Sequence, residues 1–77
     1  MRLSANQKNI LQWLAASLKF QQCHETYGAV DRLRRGGLIE RDSYGRHRIT
    51  EMGWFACYGL GDPWPGYPGE QQKRKAA

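Results

Sequence analysis

Residues 27–53 read Tyr27-Gly28-Ala29-Val30-Asp31-Arg32-Leu33-Arg34-Arg35-Gly36-Gly37-Leu38-Ile39-Glu40-Arg41-Asp42-Ser43-Tyr44-Gly45-Arg46-His47-Arg48-Ile49-Thr50-Glu51-Met52-Gly53, and the pattern changes along them decide the fold. Thr26, Ala29, Val30 and Leu33 mark one face at helical spacing, with Tyr27 at its edge, which predicts a helix over 25–35. Glu25 suits the positive end of its dipole, and Arg34 and Arg35 suit the negative end. Its exposed face holds Asp31, Arg32 and Arg35, and Gly28 leaves a gap in the side-chain cover. Gly36-Gly37 stops it, because glycine takes the left-handed conformation that a helix C-terminus needs. Residues 38–42 and 46–50 then flank Ser43-Tyr44-Gly45, a glycine-containing loop that predicts a hairpin. Alternation places His47 with Ile49 on the inner face and Arg46 with Arg48 on the other. Thr50 caps a short helix over 51–58, with Met52, Phe55, Ala56 and Tyr58 turned inward. Gly53 weakens that helix, so it leans on tertiary packing.

Working outward, Ser4 is an N-cap with Gln7 placed to complete a capping box, and Ile10, Leu11, Leu14 and Leu18 recur at helical spacing. Trp13 and Ala15 flank that stripe, and a helix over 4–18 follows. Residues 19–24 fit a short strand, a loop or a stunted helix, with Phe20 directed inward. From Gly59 the chain holds all three prolines, which excludes helix and central strand. In an extended, partly polyproline-like segment with about three residues per turn, Trp64 and Tyr67 fall on one edge. Residues 71–77, with Lys73-Arg74-Lys75, have the composition of a disordered basic tail. The expected architecture is α+β: two to three helices and a two-stranded hairpin over residues 1–60, then an extended Pro/Gly-rich segment and tail over 61–77.

Seventy-seven residues make one domain, too small for an enzyme built on a cofactor domain. The chain has no nucleophile–base pair, Gly-rich phosphate loop or paired-carboxylate constellation, so neither catalysis nor a cofactor is expected. Cys23 and Cys57 are far apart and, with His24 and His47, match no zinc spacing, so they are expected as buried or half-buried free thiols. His47 is expected to pack on the hairpin's inner face. No apolar run approaches the roughly 18 residues of a membrane span. Residues 1–7 lack a secretory signal's apolar stretch, so the expectation is a soluble, cytoplasmic protein. Twelve Lys and Arg against seven Asp and Glu give a net charge of +5, which favours acidic partners, nucleic acid first. Between residues 25 and 51 every Lys or Arg is arginine, whose planar fork suits phosphate and guanine. Acids are interleaved with them, a pattern that a solvated, ion-paired surface also produces.

The stretch over 27–53 resembles the winged helix-turn-helix transcription regulators, most of all those controlling drug-efflux and phenolic-acid genes. The likeness rests on the Leu-x-x-x-Gly-Leu-Ile step from Leu33 to Ile39 and on Arg46-His47-Arg48-Ile49-Thr50-Glu51-Met52-Gly53, where the family has Arg-x-x-Leu-Thr-x-x-Gly. The first helix adds to it, extending the cover to about residues 3–58. The resemblance implies double-stranded DNA as partner, with the second helix in the major groove and the hairpin, the wing, on phosphate or the minor groove. Carried over by position, the DNA-binding residues are Thr26, Arg32, Arg34 and Arg35 on the helix and Arg41, Tyr44, Arg46 and Arg48 on the wing. The family places a full helix before the recognition helix, where this chain has only residues 19–24.

Two functions follow as expectations. One is a DNA-binding transcription regulator, acting as a homodimer because one small module buries little surface for tight specific binding. The other is a protein-binding module that reuses the fold, similar to compact phage proteins that disable or redirect a host nucleic-acid machine such as RNA polymerase or a CRISPR complex. In that case Trp54, Trp64 and Tyr67 would anchor the partner, unless Trp64 folds back over the protein's own core.

Overall fold

A capping box starts α1 (Ala5–Ser17): the Gln7 amide donates to Ser4 Oγ at 3.2 Å, and the Ser4 amide donates to Gln7 Oε1 at 2.8 Å. The helix ends at Leu18, which takes the left-handed conformation with φ 59 and closes on Leu14 O at 2.9 Å. The structure is a computed structural model that describes residues 3–24 and 28–68. Beyond α1 come α2 (Ala29–Arg35), β1 (Ile39–Arg41), β2 (His47–Ile49) and α3 (Glu51–Tyr58), an α+β fold of three helices and a two-stranded antiparallel hairpin. None of the described helices is long and apolar enough to cross a membrane.

Residues 19–24 contain no helix. Gln21 instead bridges His47: its amide donates to His47 O at 2.7 Å, and the His47 amide donates to Gln21 O at 2.8 Å. β2 is therefore paired on both sides, with β1 along one edge and Gln21 on the other.

The helix expected over 25–35 begins at Ala29, because Gly28 takes φ 75 at its N-cap and so lies outside helical space. Glu25, Thr26 and Tyr27 lie outside the described residues. At its other end the double glycine builds a Schellman motif. The Leu38 amide reaches Leu33 O at 2.9 Å, the Gly37 amide reaches Arg34 O at 3.1 Å, and Gly37 carries the left-handed φ of 78. Leu33 and Leu38 are both buried in the core, so α2 runs into β1 through a closed corner.

The hairpin pairs Ile39 with Ile49, Glu40 with Arg48 and Arg41 with His47. Ile39, Ile49 and His47 are buried, as alternation predicts. Ile39 and Ile49 meet Leu11, Leu14 and Ala15 of α1 and Val30 and Leu33 of α2 in one core. Each fully buried aliphatic side chain there contributes about 2 kcal/mol.

α3 has the predicted bounds but presents another face. Its N-cap Thr50 accepts from the Gly53 amide at 3.1 Å and donates its hydroxyl to Gly37 O at 2.6 Å, joining the end of α2 to the start of α3. Of the four residues expected inward, Met52 is 61% exposed, Ala56 and Tyr58 are exposed, and Phe55 is half-buried. The inward residues are Gly53, Trp54 and Cys57. Close approach explains the rotation: a Cβ on Gly53 would lie 2.0 Å from Leu38 O, so only glycine lets α3 cross the chain there.

Beyond α3 the chain returns over it. Trp54 Nε1 donates to Asp62 O at 3.1 Å, and Tyr67 donates its hydroxyl to Ile49 O at 2.7 Å. Trp64 packs against the core and lies edge-on to Trp54, at 5.9 Å between centroids, and to Tyr67, at 5.1 Å. Trp64 and Tyr67 thus do share an edge of the extended segment, and that edge faces the protein. The basic stretch over 71–77 lies outside the described residues.

Candidate nucleic-acid interface

The Schellman corner and the hairpin turn set out the candidate arginines. On α2, Asp31 takes two of them: Arg34 Nη2 donates to Oδ1 at 2.7 Å, and Arg35 Nε lies 3.0 Å from Oδ2. Both pairs have helical i,i+3 or i,i+4 spacing. Arg32 is exposed and makes no ion pair among the described residues.

At the hairpin tip Asp42 organises the turn. Its Oδ1 accepts the backbone amides of Tyr44, at 3.0 Å, and of Arg46, at 2.8 Å. Its Oδ2 accepts from Arg46 Nε at 2.9 Å. Burial pushes the Asp42 carboxyl up, but the hydrogen bonds from Arg46 and Tyr44 and the Arg46 charge outweigh it and hold the group below its ordinary range. Tyr44 is 82% exposed, and the Arg46 guanidinium lies 5.1 Å from its ring centroid. Arg41 is exposed and runs beside the turn, within van der Waals distance of the place a Cβ on Gly45 would take.

Arg48 belongs to the fold. It donates from Nε to Glu40 Oε1 across the hairpin. Its guanidinium lies 4.4 Å from the Phe20 centroid and 3.6 Å from that of Tyr67, so it is held between two rings. The structure thus brings Arg32, Arg34 and Arg35 together on α2 and Arg41, Tyr44 and Arg46 at the tip, while Arg48 turns into the molecule and Thr26 lies outside the described residues. The partner-anchor candidates Trp54, Trp64 and Tyr67 touch one another rather than standing open.

Two residues that the sequence reading left among interleaved acids prove central: Asp31 and Asp42. The signal for Asp42 is its placement four residues before Arg46 across a Ser-Tyr-Gly loop, the spacing at which an aspartate closes its own turn.

Elsewhere, an open apolar cavity of about 270 Å³ is lined by Ile10, Trp13, Gln22, Cys23 and His24, with none of the arginines. Cys23 and Cys57 are half-buried free thiols. Burial pushes both thiols up, and nearby Lys8 offsets part of the effect on Cys57, so neither is a ready nucleophile at neutral pH.

No family model matches the chain, and no curated protein or solved structure matches it either.

Proposed function

We propose that the protein binds duplex DNA as a small winged-helix regulator, with α2 as the helix presented to the major groove and the hairpin as the wing. The observation that carries this reading is the exposed arginine set on two elements joined by a closed corner: Arg32, Arg34 and Arg35 on α2, then Arg41 and Arg46 beside Tyr44 at the tip. Arginine's fork suits phosphate oxygens and the guanine edge, and the set is five of the chain's twelve Lys and Arg.

The test is fluorescence anisotropy on random-sequence duplex DNA across a salt series. A face engaging about five phosphates lowers log affinity against log salt with a slope of about −4.5. No binding at low salt would end this reading.

A second reading, a module that binds a protein of a nucleic-acid machine, is favoured by the individually exposed apolar side chains of Met52, Tyr58 and Leu60, with Leu60 85% exposed. Replacing Met52 and Leu60 with serine separates the two: it leaves DNA binding intact on the first and abolishes complex formation on the second.

A further inference from the structure

In a protein that binds a polyanion, aspartates among the binding arginines look like a cost, since each removes positive charge. Their placement here argues for another role. The Asp42 side chain is 13% exposed while that of Arg46 is 48% exposed, and Asp31 is 36% exposed while Arg35 is 79% exposed. In these two pairs the guanidinium is the more exposed partner, whereas Arg34, which Asp31 also binds, is held at a terminal nitrogen and is about as exposed as Asp31. In both pairs the contact is at Nε, and the rest of the donor fork sits on the terminal nitrogens. Asp42 is itself fixed, because two backbone amides bind its Oδ1. Arg46 is therefore held on one side by a pinned carboxylate, with the Tyr44 ring beside it.

We propose that Asp31 and Asp42 are positioning residues, each gripping an arginine at Nε so that its terminal nitrogens meet an anionic oxygen of duplex DNA with the side chain already ordered. This rests on the DNA-binding reading above. The physical gain is rotamer entropy: a free arginine loses it on binding, whereas a held one has lost it on folding.

Charge counting and positioning predict opposite signs, which makes the inference testable. Asp42→Asn keeps an oxygen for the two backbone amides but replaces the Nε acceptor with an amide NH₂, and it removes one negative charge. Electrostatics alone then gives tighter DNA binding. Positioning gives weaker binding, by roughly threefold to tenfold at low salt. The probe is a random-sequence duplex read by anisotropy, with thermal melts alongside to confirm folding.

The expected result is a loss with Asp42→Asn that vanishes in an Arg46→Ala background, since there is then no arginine to hold. Asp31→Asn is expected to act in the same direction, and it carries the test if Asp42→Asn does not fold. Affinity equal to or above that of the unmodified protein overturns the proposal and leaves the DNA-binding reading standing. So does a loss that persists with Arg46→Ala, which would place the role of Asp42 in the turn alone. No binding by the unmodified protein overturns both.

Discussion

At the base of the hairpin, Arg48 is bonded to Glu40 and enclosed by Phe20 and Tyr67; at the tip, two residues earlier on the same strand face, Arg46 is bonded to Asp42 beside an open Tyr44. Strand parity and an arginine Nε bonded to a carboxylate are common to both places, with glutamate at the base and aspartate at the tip. What differs is the cover. Segments from before α2 and after α3 close over the base, and nothing among the described residues closes over the tip. An arginine–carboxylate pair under aromatic cover holds the fold, whereas the same pair left open is available to a ligand. Changes at the base should therefore move stability, and changes at the tip should move binding.

The largest effect tests the ground beneath the base. Gly53→Ala forces a Cβ to within 2.0 Å of Leu38 O, and backbone must shift. A loss of about 3 kcal/mol or more is expected, read as a collapsed or non-cooperative thermal melt. An unchanged melt would mean that α3 does not cross so closely.

Arg48→Ala comes next. It removes a hydrogen bond between charged groups and two ring contacts at a side chain that is 19% exposed. A loss of about 2 kcal/mol in chemical denaturation is expected, with the DNA salt slope unchanged. A shallower slope with an intact melt would instead make the base a binding element. Tyr67→Phe deletes only the hydroxyl donor to Ile49 O and should cost about 1 kcal/mol in the same assay.

The smallest stability effects belong to the tip. Arg46→Ala should leave stability within about 0.5 kcal/mol while making the salt slope shallower by about one unit. Acid probes the same pair. The Asp42 carboxyl lies below its ordinary range when folded, so its contribution is complete above the unfolded value of about 4. That contribution is lost as pH falls through the folded value. Melts of Asp42→Asn should therefore fall less steeply with acid than those of the unmodified protein.

The local signals carried much of the fold. Ser4 with Gln7, the double glycine after Arg35, the Ser-Tyr-Gly loop and Thr50 each act within a few residues, and each marks an element boundary that the structure contains. The inward face of α3 was hidden because Gly53 contributes nothing to a hydrophobic pattern, although its bare backbone makes the contact. The split between Arg46 and Arg48 was hidden for a related reason. Alternation gives them one face, and their different covers come from Phe20 and Tyr67, on segments outside the hairpin whose path over it the hairpin's own pattern does not encode. The pairing of Asp31 and Asp42 was half visible, as acids interleaved with arginines, but which nitrogen each would grip was not.

The Thr50 hydroxyl accepts a hydrogen bond from the Gly53 amide and donates one to Gly37 O. One oxygen thus serves as the axle between the helix that carries Arg32, Arg34 and Arg35 and the helix whose Met52 faces solvent. Met52 Sδ lies 3.7 Å from where a Cβ on Gly37 would sit, so that exposed side chain leans on the same joint. The outer surface of α3 therefore meets the end of α2 at one shared corner, where a single hydroxyl closes both helix ends.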